Sequence, residues 1–251
     1  MDSVKTKIYF ASDFHLGVPD HQSSLIREKT VCAWLESIRS DAAEIYLVGD
    51  VFDFWFEYRD VVPKGFTRLL GKLAELSDEG IQITFFKGNH DMWTFGYLER
   101  ELGLKVVSNE LTIERNGKTF YIHHGDGLGP GDHAYKLLKK IFRSRVSVKL
   151  FGFLHPRIGI GLASFLSKSS RISKGGNDKT YLGDDKEFII VYCRELLKQK
   201  HFNYFICGHR HYPMTLKLSE DSEYVNLGEW VNDFTYAVFD GTELELKQFK
   251  P

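Results

Sequence analysis

At 251 residues, with 43% hydrophobic and 27% charged residues, the chain has an ordinary globular composition and enough length for one large domain with a thick core. A net charge of −1 argues against a generally basic nucleic-acid binder. Cys32, Cys193 and Cys207 are far apart with no CxxC pair, which points away from a zinc knuckle or redox site and fits a reducing compartment. In chain order, an apolar run at Ile8–Ala11 reads as a strand with neither a signal-peptide core nor a spanning helix before it, so export is not expected. A helical stretch follows near Ser23–Arg39. Glu44–Val48 is a second strand, Lys64–Asp78 a helix closed by Gly80, and Ile81–Phe86 a third strand, so the first hundred residues carry α/β order. Hairpins are predicted at Asn116-Gly117, between Leu111–Glu114 and Thr119–His123, and at Asp240-Gly241, between Tyr236–Phe239 and Glu243–Lys247. Between these hairpins, residues 132–170 read as helices followed by a Ser/Gly/Lys-rich loop to Lys179. The 132–179 segment is therefore expected to be a helical insertion in one domain spanning 1–251.

That insertion is also where the charge is uneven. Residues 133–177 hold six Lys and four Arg with no Asp or Glu, so they carry +10 and the rest of the chain −11. An anionic partner is expected beside it. Its apolar stretch from Val146 to Leu166 is interrupted by Lys149, His155, Pro156 and Arg157, which an unassisted spanning helix does not carry at mid-depth. Leu137, Leu138, Ile141 and Phe142 recur at helical spacing beside Lys136, Lys139, Lys140 and Arg143. This fits a helix lying on a membrane surface, and equally one packed on the sheet with a solvated basic face.

Five polar clusters each follow a strand-like run, the position where an α/β protein keeps its chemistry. They are Asp13-Phe14-His15, Gly49-Asp50-Val51-Phe52-Asp53, Gly88-Asn89-His90-Asp91, His123-His124-Gly125-Asp126 and Gly208-His209-Arg210-His211. In extended chain, residues two apart share a side, so Asp13 with His15, and His209 with His211, can reach one place. Asp50 emerges after a glycine that permits a sharp turn and can bridge two cations. Asp53 reads instead as a turn aspartate capping the next helix. Any one cluster alone is ordinary turn chemistry; five in one chain point to a dinuclear metal site.

In this order, DxH, GDxxD, GNHD, HGD and GHxH resemble the calcineurin-like metallophosphoesterase superfamily. The resemblance implies a four-layer α/β/β/α sandwich with two mixed sheets. It implies that Asp13, His15 and His211 hold one divalent cation, that Asn89, His124 and His209 hold another, and that Asp50 bridges them, with His90 beside the substrate. His124 takes the ligand position because it directly precedes Gly125-Asp126, and His123 then faces the other side of its strand. Imidazole and carboxylate donors without thiolate suit manganese first, with iron or zinc possible. The chemistry implied is in-line hydrolysis of a phosphate ester or anhydride by an activated water, with no covalent enzyme intermediate.

Three further stretches narrow the resemblance: Phe10 to Gly17, Leu47 to Asp53 and Leu227 to Trp230. With the insertion after the HGD motif, they are similar to the UDP-2,3-diacylglucosamine pyrophosphatase family. That family yields UMP and 2,3-diacylglucosamine 1-phosphate for lipid A, and acts in the cytoplasm peripherally at the inner membrane. Its insertion forms an acyl-chain cap. The resemblance places Asp132 at a substrate contact, adds Asn89, His90 and His209 as substrate neighbours, and makes Arg171, Lys174 and Lys179 candidate phosphate or sugar partners. The third motif departs from the pattern: well-known members resemble GNRD, where this chain has His90. The alternatives are another phosphodiesterase, nucleotidase or phosphatase of the superfamily, or a scaffold without catalysis. All seven candidate ligands and His90 are present, which argues against the scaffold, and a nucleic-acid partner is not expected.

Overall fold

The structure, a computed structural model, describes residues 5–131, 133–162 and 181–250. β1 (Lys7–Ala11), β2 (Ala42–Leu47), β3 (Gln82–Phe86) and β4 (Lys105–Val107) run parallel, linked through α1 (His21–Ile38), α2 (Thr67–Asp78) and the short α3 (Tyr97–Leu102). β10 (Thr235–Phe239) pairs antiparallel with β1, and β11 (Leu244–Gln248) with β10, completing a six-stranded mixed sheet. The second sheet is five-stranded and also mixed. Its order is β5 (Leu111–Arg115), β6 (Lys118–His123), β7 (Tyr204–Cys207), β9 (Glu223–Asn226) and β8 (Met214–Lys217).

Alternation along the strands builds the layers, because successive side chains leave opposite faces of a sheet. Tyr9, Ile45, Leu47, Ile83 and Phe85 face one way and pack with Val31, Trp34 and Leu35 of α1 and Leu69, Leu73 and Leu76 of α2. Their neighbours Phe10, Tyr46 and Phe86 face the other way and meet Phe120, Ile122, Ile206 and Val225 of the second sheet. On that sheet's outer face, Tyr121, Phe205 and Tyr224 pack with Ile189, Ile190 and Cys193 of α7 (Phe188–Leu197). The order is thus helix, sheet, sheet, helix.

Two expectations shift locally. α2 begins at Thr67 rather than near Lys64, because Gly65 and Phe66 both take positive φ, 109° and 57°. Its first amides, on Arg68 and Leu69, donate to Glu28 Oε1 of α1 at 2.8 and 3.1 Å, so a neighbouring helix caps it. At the first hairpin Asn116 and Gly117 have φ of 51° and 73°, as a two-residue turn of the right twist requires. The second is wider. Asp240 Oδ1 accepts from Thr242 and Glu243 amides, at 2.8 and 2.9 Å, which spreads the loop over four residues.

The described part of the 132–179 segment holds α4 (His133–Arg143), α5 (Arg145–Gly152) and α6 (helical residues 156–162). Phe151 of α5 inserts among Phe54, Phe56, Tyr58 and Trp93, with centroid separations of 6.2, 4.7, 6.5 and 5.8 Å. α4 is turned against ordinary amphipathic logic. Leu137, Leu138 and Ile141 are exposed, while Lys136, Lys139 and Arg143 are half-buried.

Candidate metal centre

β1, β2 and β3 end at one edge of the first sheet and β6 and β7 at the adjoining edge of the second, and the five polar clusters meet there. The loops interlock by backbone bonds: Asp13 N donates to Gly49 O at 3.0 Å, His15 N to Asp50 O at 2.9 Å, and Gly208 N to His124 O at 2.9 Å. Asp13, His15, Asp50, His209 and His211 all have positive φ, between 45° and 68°. Such backbone is costly for non-glycine residues and persists where the surroundings over-determine it. Glycines allow the crowding. A Cβ on Gly49 would lie 2.6 Å from His124 Nδ1, and one on Gly88 would collide with the Asp50 carboxylate.

Among the described residues donor atoms converge in three groups, each within 4.8 Å internally: Asp13, His15 and His211; Asp50, His124 and His209; and, sharing His15 with the first, His15, Asp53 and His90. In the first, His211 Nε2 is 3.0 Å from Asp13 Oδ1 and 3.0 Å from His15 Nε2. Two imidazole nitrogens that close need a shared proton or a cation between them. In the second, His124 Nδ1 donates to Val48 O at 2.8 Å, which leaves Nε2 as the free donor atom. That Nε2 is 3.3 Å from Asp50 Oδ2 and 3.2 Å from Asn89 Oδ1. Asp50 spans the groups, its Oδ2 also lying 3.9 Å from His15 Nε2.

The electrostatics express one demand. Burial works against ionising Asp13, yet hydrogen bonds from His15 and His211 hold its carboxyl well below the usual range. Burial likewise disfavours a charged His15, but the Asp13 and Asp53 carboxylates push it up to about 10. His124 is raised in the same way, against burial, by Asp50, whereas burial pushes His209 down to about 3. Buried carboxylates that pull protons onto adjoining imidazoles would accept divalent cations in their place. The donors are oxygen and imidazole nitrogen with no thiolate, and the residues fit such ions.

His90 lies at the rim. Its Nδ1 is 2.9 Å from Asp53 O and 3.6 Å from Asp53 Oδ1, and its side chain is 20% exposed. Asp53 corrects the expectation of a helix cap. No helix begins until Thr67, and the buried carboxylate instead lies 3.4 Å from His15 Nδ1, grouped with His15 and His90. His123 faces away from the centre, its Nδ1 accepting from Gly125 N at 2.8 Å. Asp132, Arg171, Lys174 and Lys179 lie outside the described residues.

Three supports escaped the sequence reading. Asp91, fully buried, accepts from the amides of Gly88 and Val51 at 2.8 Å each, and from Asp50 and Phe52 at 3.3 Å, lashing the β2 and β3 loops together. Arg27 of α1 donates to the carbonyls of Phe14, His15 and Val18 at 3.2, 2.8 and 3.1 Å. Trp230 N donates to Asp13 O at 3.1 Å, so the Leu227 to Trp230 stretch braces the first loop. Only the four-residue GNHD string hinted at Asp91; a charged residue on the apolar face of α1 was the available signal for Arg27.

A family model described as calcineurin-like phosphoesterase matches residues 6–213. A Porphyromonas gingivalis protein named UDP-2,3-diacylglucosamine hydrolase is 41% identical over 260 residues, covering 98% of this chain and 99% of its own length. A protein of the same name from Neisseria meningitidis serogroup A is 28% identical over 228 residues, 90% of each chain. The solved structure of Yfce, a phosphoesterase from E. coli, covers 95% of this chain and 90% of its own at 15% identity, with a TM-score of 0.46.

Proposed function

We propose a specific hydrolytic activity for this chain, which belongs to the calcineurin-like phosphoesterase family: cleavage of the anhydride of UDP-2,3-diacylglucosamine to UMP and 2,3-diacylglucosamine 1-phosphate. The observation that carries it is the full-length likeness to the P. gingivalis hydrolase, in a chain whose five motif loops bring their donors to one point. Asp13, His15 and His211 would hold one divalent cation, Asn89, His124 and His209 the second, and Asp50 both; manganese is the preferred ion. Bound there, the pair supplies charge neutralisation at phosphorus and an activated water.

The chain's own residues do the rest. The Nδ1 proton of His90 is held by the Asp53 carbonyl, so Nε2 is the atom from which a proton passes to the leaving oxygen. Burial pushes His90 below its ordinary pKa. A substrate phosphate arriving beside it opposes that burial and favours the imidazolium, with the Asp53 carboxylate behind it. Asn89, His90 and His209 are the substrate neighbours among the described residues, and Asp132, Arg171, Lys174 and Lys179 are assigned to it by resemblance.

The 132–179 segment serves as the acyl-chain cap and rests on the cytoplasmic side of the inner membrane. Supporting this, Leu137, Ile141, Val146, Leu150, Phe153 and Ile158 are all exposed, Phe153 by 77%. No helix among the described residues is long and apolar enough to cross a membrane. The test is hydrolysis of UDP-2,3-diacylglucosamine against bis-p-nitrophenyl phosphate by the manganese-loaded chain. Preference for the lipid-linked anhydride is expected; preference for the simple diester returns the chain to a general phosphodiesterase.

A further inference from the structure

We propose that a pocket between the Asp126-Gly127 turn and α4 binds a phosphate group at a place separate from the metal centre. The cavity is about 490 Å³ and is lined by Gly127, Lys136, Lys139, Lys140 and Arg143. None of the seven candidate metal ligands borders it. The four cations stand three, four and seven residues apart, so one face of α4 presents them all. The opposite arrangement, apolar side inward, is what a helix packed on a body ordinarily takes.

One of the four is neutralised. Lys139 Nζ lies 2.6 Å from Asp126 Oδ2, and Tyr135 OH donates to the same oxygen at 2.7 Å. The other three have no carboxylate partner among the described residues. Lys136 donates to the carbonyl of Gly129, Arg143 NH1 to Asn109 Oδ1 at 3.0 Å, and Lys140 forms no ion pair among the described residues. Carbonyl and amide oxygens satisfy hydrogen bonds without cancelling charge. Three like charges, two of them half-buried, stand around one cavity and repel one another. An anion seated in the cavity offsets that repulsion.

Phosphate fits this better than a carboxylate. It carries up to two charges and several acceptor oxygens, matching one guanidinium fork and two ammonium groups approaching from one side. A free phosphate and a lipid headgroup phosphate share the required chemistry.

The test titrates inorganic phosphate into the chain loaded with zinc, which is diamagnetic, and follows backbone amides by NMR. Amides of Gly127 and residues 136–143 should shift saturably in the wild type. In a Lys136→Gln/Lys140→Gln variant the affinity read at those amides should fall at least about tenfold, while amides of Gly49 and Gly88 respond alike in both proteins. Lys140→Gln alone, at an exposed position, serves if the double variant fails to fold, with a smaller loss at the same amides. A flotation arm compares phosphatidylcholine vesicles with mixed phosphatidylglycerol vesicles. Capture by phosphatidylglycerol that weakens in the variant supports a headgroup as the source; unchanged capture with the phosphate shifts lost supports soluble phosphate. Absence of saturable shifts at those amides, or equal shifts in wild type and variant, overturns the proposal whatever the hydrolysis assay returns.

Discussion

Phe151 of α5 lies parallel to Trp93, with ring planes 9° apart and centroids 5.8 Å apart. Trp93 stands four residues beyond Asn89, and its indole nitrogen donates to Phe142 O of α4 at 3.0 Å. The loop that carries two candidate site residues is therefore also the seat of the insertion.

Phe151→Ala should release the insertion and leave the sheets intact. Aromatic pairs are worth about 0.5–1.5 kcal/mol beyond the area they bury, and this ring meets four partners. Amide exchange across residues 133–162 is expected to quicken while the strands stay protected. KM for the diacylated substrate should rise with bis-p-nitrophenyl phosphate turnover nearly unchanged. Equal losses on both substrates would show that the ring supports the centre itself.

His90→Ala should separate chemistry from metal binding. His90 belongs to neither the Asp13, His15 and His211 group nor the Asp50, His124 and His209 group, but sits with Asp53 beside His15, so its removal leaves both of those groups whole. A general acid contributes about 10²–10⁴-fold. We expect kcat to fall by that order with metal content per chain unchanged. A fall in bound metal would make His90 a ligand instead.

Arg115 of β5 joins the two sheets through Glu44 of β2, with Nε to Oε1 at 2.5 Å and NH2 to Oε2 at 2.9 Å. Burial opposes the Glu44 charge, but Arg115 and then Tyr46 hydrogen bonds hold its carboxyl below the ordinary value. A depressed folded-state pKa gives stability that is complete above the unfolded value, about 4.3, and lost as pH falls through the folded value. Arg115 is more than a third exposed, so solvent screens the pair and Arg115→Met should cost only about 1 kcal/mol at pH 7. Denaturant titrations should show that difference shrinking below about pH 4; a difference constant with pH would assign the loss to packing.

The strand ends and the seven polar residues that meet there were legible because each motif follows a short apolar run and local spacing sets direction. Asp53 was not, since a carboxylate three residues past a turn looks the same whether it caps a helix or meets an imidazole from another loop. Asp91 and Arg27 act through backbone groups distant in sequence, which no local pattern encodes. α4 shows a different limit: periodicity revealed its two faces, but which face turns inward is decided by Asp126 and Trp93, residues outside the helix.

Donors from five loops, with Asp50 common to both sites, are expected to hold two divalent cations, which elemental analysis of the manganese-loaded wild type and an Asp50→Asn variant, its fold checked by circular dichroism, would count. The expected result is two metal ions per wild-type chain, loss of at least one in the variant, and loss of phosphoester hydrolysis with it. A wild type that binds no divalent cation, or a metal-free Asp50→Asn chain that hydrolyses at the wild-type rate, would rule out a dinuclear centre bridged by Asp50.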